Sequence, residues 1–143
     1  MELMENKEMI TSRELLEKIN EFREKEYQEK AKAGTLTKKE NLSGRYSKLR
    51  HNDLLKIIRK EFKNKIAQGN ISLSKYLDKN NREREMFVLT LSQAKQVLLR
   101  ESATVREKVI DYIEHLENEL KKALERERLQ VRVMGKALRN LET

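Results

Sequence analysis

Two adjacent stretches decide how this chain folds: RHNDLLKIIRKEFKNKIAQ at residues 50–68 and ISLSKYLDKNNREREMFVLT at residues 71–90. In the first, Leu54, Leu55, Ile58, Phe62 and Ile66 recur at helical spacing, so one amphipathic helix is expected over 50–68. Gly69-Asn70 supplies its stop. In the second the period changes to two. Alternating residues flank Asp78-Lys79-Asn80-Asn81, a run of turn formers, so a two-stranded hairpin is expected over roughly 71–77 and 83–89.

Working outward, Thr11-Ser12-Arg13-Glu14 is a capping box. Leu15, Leu16, Ile19 and Phe22 follow it at helical spacing, giving a helix over 12–30 that ends at Gly34. Residues 31–49 read as a basic connector with a short helix near 37–43, anchored by Leu36, Leu42, Tyr46 and Leu49. The helical period returns at Ser92, breaks near Ser102 and resumes from Thr104 to the end. In that last helix Val105, Val109, Tyr112, Leu116 and Leu120 can face the domain core. A second stripe is heptad-spaced: Ile110, Leu124, Val131 and Leu138 at a, and Ile113, Leu120, Met134 and Leu141 at d. Only Glu117 and Glu127 interrupt it, so it reads as a dimerisation seam.

The expected fold class is α+β and mostly helical. A flexible N-terminus (1–10) precedes a winged helix-turn-helix-like domain (11–100) with a two-stranded hairpin. A long C-terminal helix (101–143) serves dimerisation or docking.

Charge is distributed unevenly. Residues 1–29 carry 5 basic and 9 acidic side chains, residues 30–100 carry 18 and 6, and residues 101–143 carry 9 and 9. The +8 excess of the chain is thus concentrated in the middle segment. A field focused in this way suits a polyanion, although a Lys-rich surface that serves only solubility is the plainer alternative.

Composition excludes much chemistry. With no Cys, a thiol catalyst, a Cys-ligated zinc or an iron–sulfur site is excluded, and His51 and His115, 64 positions apart, give no expectation of a His-based metal cage. No glycine-rich phosphate loop and no nucleophile elbow is present. Glu83 and Glu85 read as solvated hairpin charges and His115 as an exposed residue. No catalytic residue, metal or cofactor is expected. The start MELMENKEMI is acidic and lacks an apolar stretch, so neither a secretory signal nor a membrane partner is expected.

Binding chemistry fits better. A helix presenting Asn and Arg can enter the major groove, about 12 Å wide, where Asn pairs with adenine and Arg with guanine. Asn52, Lys56, Arg59 and Lys63 form such a face, with Lys60 beside them. Arg45, Lys48, Arg50 and His51 lead into the helix, and Lys79, Arg82 and Arg84 tip the hairpin as a phosphate-holding wing. Asn52 as a simple N-cap is the alternative for that residue. Double-stranded DNA and a second copy of the chain are the expected partners.

Three patches carry a family resemblance: TSRELL at 11–16, LRHNDLLKIIR at 49–59 and SKYLDKNNREREMFVLT at 74–90. Together they resemble the Rha family of phage regulatory proteins, which are antirepressor-like. The resemblance implies a DNA-binding transcriptional regulator of phage or prophage origin, located in the cytoplasm of a bacterial host and associated with its nucleoid. The other reading is an antirepressor or inhibitor that docks onto a repressor or a host nucleoprotein complex such as a defence effector.

Overall fold

The computed structural model describes residues 9–142. In chain order its elements are β1 (Met9–Thr11), α1 (Ser12–Ala33), α2 (Lys38–Leu42), α3 (His51–Glu61), α4 (Lys63–Ala67), β2 (Ser72–Leu77), β3 (Glu83–Thr90), α5 (Leu91–Val97), a 3-10 turn (Leu98–Arg100) and α6 (Ala103–Glu142). The architecture is α+β and 69% helical, with a three-stranded antiparallel sheet and a long C-terminal helix.

Local chemistry sets the boundaries. Thr11 caps α1 by accepting from Glu14 N–H at 3.1 Å, and Gly34 closes the helix in the left-handed region at φ 69°. Thr90 and Gln93 form a reciprocal capping box at the start of α5. The Ser102 hydroxyl accepts from Val105 N–H at 3.2 Å, which starts α6 where the helical pattern breaks. In the hairpin turn Asp78 accepts from the backbone N–H of Asn80 and Arg82, and Asn81 takes φ 58°, a value Asn tolerates.

The structure corrects the sequence reading in five places. The helix expected over 50–68 is two helices, because buried Phe62 leaves helical geometry at φ −115°, ψ 29° and turns its ring into the core. The sheet has a third strand: β1 pairs with β3 in the register Met9↔Thr90, Ile10↔Leu89 and Thr11↔Val88. Of the stretch expected to be a flexible N-terminus, Met9 and Ile10 therefore belong to the sheet, and residues 1–8 lie outside the described residues. Leu42 is no anchor of the connector; it is 85% exposed. Ile113, expected at the seam, is completely buried in its own domain, and Ile110 is partly buried against the same core.

That core joins β1, α1, α3, β3, α5 and α6, with Ile66 of α4 packed against it. Ile10, Leu15, Ile19, Leu54, Ile58, Leu89, Leu98, Val105, Val109 and Ile113 are each at most 1% exposed. Polar clasps fix the connector onto α1. The Asn20 amide bridges both backbone groups of Leu49, and Arg23 holds Glu101 through two contacts while donating to Ser47 O. Buried Glu26 accepts from Tyr46 Oη and from Ser102 Oγ. With Ser102 beside Glu26 and Tyr112 beside Glu14, α6 runs antiparallel to α1 and leaves the domain past the end where α1 begins.

Candidate nucleic-acid interface

The outer face of α3 follows from its inner one. Leu54, Leu55 and Ile58 are buried, so Asn52, Lys56, Arg59 and Lys60 are exposed on α3, and Lys63 is exposed at the start of α4. Opposite lies the hairpin. Asn52, Leu55, Arg59, Tyr76, Glu83, Arg84, Glu85 and His51 line a groove of about 380 Å³ between α3 and the strands.

Within the groove Arg59 is held in place. A terminal nitrogen of its guanidinium lies 3.3 Å from a Glu85 carboxylate oxygen, and the group sits 5.6 Å from the centre of the Phe87 ring. Both partners of the ion pair are about half exposed, so it positions Arg59 more than it stabilises the fold. The two arginines and two glutamates balance, which makes the groove polar but electrically mixed. Of the cations expected at this face, Lys56, Lys60 and Lys63 on the helices and Lys79 at the hairpin tip lie outside it and form no ion pair among the described residues. Arg82 and Arg84 are drawn onto Asp78, at 3.9 and 3.1 Å. The backbone N–H of Arg82 and the Arg84 guanidinium keep the Asp78 carboxyl ionised below its ordinary range.

His51 lines the groove and is also held from within the domain. It is the first residue of α3, partly buried, with Nε2 2.9 Å from Ser12 Oγ and Nδ1 3.5 Å from Tyr76 Oη. Ser12 Oγ is fully buried and already accepts from Phe87 N–H at 3.1 Å, so its own proton is free for a neutral Nε2. Burial first, and the nearby Arg13 charge second, hold the His51 pKa below its ordinary value. His51 thus ties α3 to α1 and β2. Arg45, Lys48 and Arg50 are exposed on the connector outside the groove, Arg50 lying 3.3 Å from Asp53.

Sequence reasoning missed Tyr76 and Arg13. The Arg13 guanidinium lies 4.0 Å from the Tyr76 ring centre, and the Tyr76 ring meets His51 edge-on at 5.8 Å. The same three residues, with Glu14, Leu16 and Glu17, line a second hollow of about 530 Å³. A tyrosine in an alternating strand and an arginine in a capping box carry no marker of this contact.

Along α6, Glu117 lies 2.7 Å from Lys95 of α5, so this a-position carboxylate is neutralised inside its own domain. The heptad stripe free of the core begins at Leu120 and Leu124, both partly exposed, and continues through Val131, Met134, Leu138 and Leu141, which are 61–82% exposed. Among the described residues, no helix is long and apolar enough to cross a membrane, and no cluster of three or more metal-ligating side chains occurs. In comparisons with known proteins, no family model matches the chain, and no curated protein or solved structure matches it significantly.

Proposed function

We propose that the chain is a duplex-DNA-binding transcriptional regulator of winged helix-turn-helix type that acts as a homodimer in the bacterial cytoplasm. The observation that carries this is the exposed row Asn52, Lys56, Arg59 and Lys63 beside a hairpin with Lys79 at its tip. In this reading Asn52 and Arg59 reach base edges, because they line the groove and Arg59 is already oriented by Glu85 and Phe87. Lys56, Lys60, Lys63 and Lys79 hold phosphates, which supply most of the affinity and none of the sequence preference. The resemblance to the Rha family points the same way. Pairing through Leu124, Val131, Met134, Leu138 and Leu141 would double the contact set about a two-fold axis.

Selection of genomic fragments bound by the purified full chain tests binding and specificity together. Enrichment of one inverted-repeat sequence is the expected result, and uniform recovery or none would overturn it. A second reading, docking onto a repressor or a host nucleoprotein complex, is favoured by the groove carboxylates Glu83 and Glu85 and by Leu73 and Leu77, which are 51% and 62% exposed on strand β2. Capture of such a partner that survives nuclease treatment distinguishes it.

A further inference from the structure

The distal half of α6 separates its charges from those of the proximal half. Residues 117–127 carry 3 basic and 4 acidic side chains, whereas residues 128–141 carry Arg128, Arg132, Lys136 and Arg139 and no carboxylate. All four cations are exposed, and none forms an ion pair among the described side chains. At about 100° per residue they fall within an arc of roughly 80° and span about 16 Å of helix axis. The apolar stripe of Val131, Met134, Leu138 and Leu141 is centred about 140° away by the same arithmetic. One helix can therefore use both faces at once.

Two simpler explanations fall short. Cations favour the C-terminal end of a helix because of its dipole, but that effect fades beyond the last turn. It covers Arg139, whereas Arg128 and Arg132 lie more than two turns from the end of α6 at Glu142. A merely solvating face usually mixes signs at i±3 and i±4. Around Arg132 and Lys136 those positions hold Arg128, Leu129, Val133, Gly135, Arg139 and Asn140, with no acid among them.

We infer that the exposed stripe Arg128–Arg132–Lys136–Arg139 on the projecting part of α6 is a second nucleic-acid contact, bound to the phosphate backbone of duplex DNA. Charge complementarity identifies the occupant. A duplex carries about one negative charge per 1.7 Å, or roughly ten along the length of the stripe. An anionic membrane is the other polyanionic surface, and helices that lie in the lipid interface carry Trp, Phe or Leu on the apolar face. The apolar face here offers leucines, but the segment after Tyr112 contains no Phe, Tyr or Trp to anchor it in lipid. The inference rests on the DNA-binding reading and adds a backbone-only arm to it.

The test measures the salt dependence of binding of the full-length chain to a labelled random-sequence 30-base-pair duplex. Four proteins are compared: wild type, R128Q/R132Q/K136Q/R139Q, its charge-keeping counterpart R128K/R132K/R139K, and K56Q/K63Q. If all four cations touch phosphates, the slope of log K against log salt falls by about 3.6 per chain in the quadruple variant, and a fall of about 2 or more is expected. Circular dichroism and light scattering should remain those of wild type, and the R128K/R132K/R139K variant should keep the slope. An unchanged slope with intact binding overturns the α6 inference and leaves the α3 reading standing. A slope that falls in the quadruple variant but not in K56Q/K63Q supports the stripe and refutes the α3 surface. If wild type binds no duplex, or binds phosphatidylserine vesicles in preference to it, the inference fails.

Discussion

Arg59 sits between the carboxylate of Glu85 and the ring of Phe87, and that placement decides what its loss would do. Replacing it with Ala removes a pre-oriented guanidinium, which should cost about 1–3 kcal/mol for the preferred sequence while random-sequence binding changes much less. Lys79→Ala should behave in the opposite way, weakening all duplexes alike and lowering the salt slope by about 1. Competition anisotropy with specific and scrambled duplexes separates the two patterns. His51 makes a different prediction, about stability. Its folded-state pKa lies below the ordinary 6.5, so the neutral ring belongs to the native state and the unfolded chain takes up a proton first as pH falls. The stabilising contribution is therefore complete above about 6.5, declines as pH drops through the folded value and then levels off. Urea unfolding at pH 7.5 and 5.0 should show wild type losing more stability on acidification than His51→Gln. Parallel losses would remove the histidine from the account.

The elements differ in how far their sequences announce them. α1 is readable from Thr11 to Gly34 because cap, periodicity and stop agree, and the hairpin is readable because Asp78–Asn81 interrupts two alternating runs. β1 is not readable: three residues show no period, and only pairing with β3 makes Met9–Thr11 a strand. The break at Phe62 is hidden for a related reason, since the ring keeps helical spacing while its backbone does not. In α6 two apolar stripes overlap, and the sequence cannot say which one Ile113 serves; packing against the core assigns it inward. The outward row of α3 was legible because its buried face is so regular, whereas the engagement of His51 with Ser12 and Tyr76 joins residues 39 and 25 positions apart. Two substitutions probe these elements. Ile10→Ala should cost about 2–5 kcal/mol in chemical unfolding, as a large-to-small change in a closed core does. Gly135 lies in the helical interior of α6, and a Cβ there meets nothing within 4 Å. Gly135→Ala should therefore raise stability by about 0.5–1 kcal/mol, read from thermal melts.

At the scale of the whole molecule, circular dichroism should give a helix content near 69%, and a value under a third is incompatible with the fold. Light scattering at micromolar concentration should return twice the 17.1 kDa chain mass. Truncation after Leu120 should return the monomer mass with the domain still folded, since every completely buried core residue precedes that point. A wild-type mass of one chain would reject the dimer. The β1–β3 pairing has one more consequence, in the order of synthesis. Ile10 leaves the ribosome before its register partner Leu89, which follows only after the intervening chain has been made. At about 5–20 residues per second that delay is roughly 4–16 s. For that time the first strand has no partner and Ile10 no pocket, although the helical segments behind it can already be forming. Stalled nascent chains ending before β3 should leave the Met9–Thr11 segment open to proteases, and chains extended beyond α5 should close it. The youngest strand thus completes a sheet that the oldest one has been waiting to join.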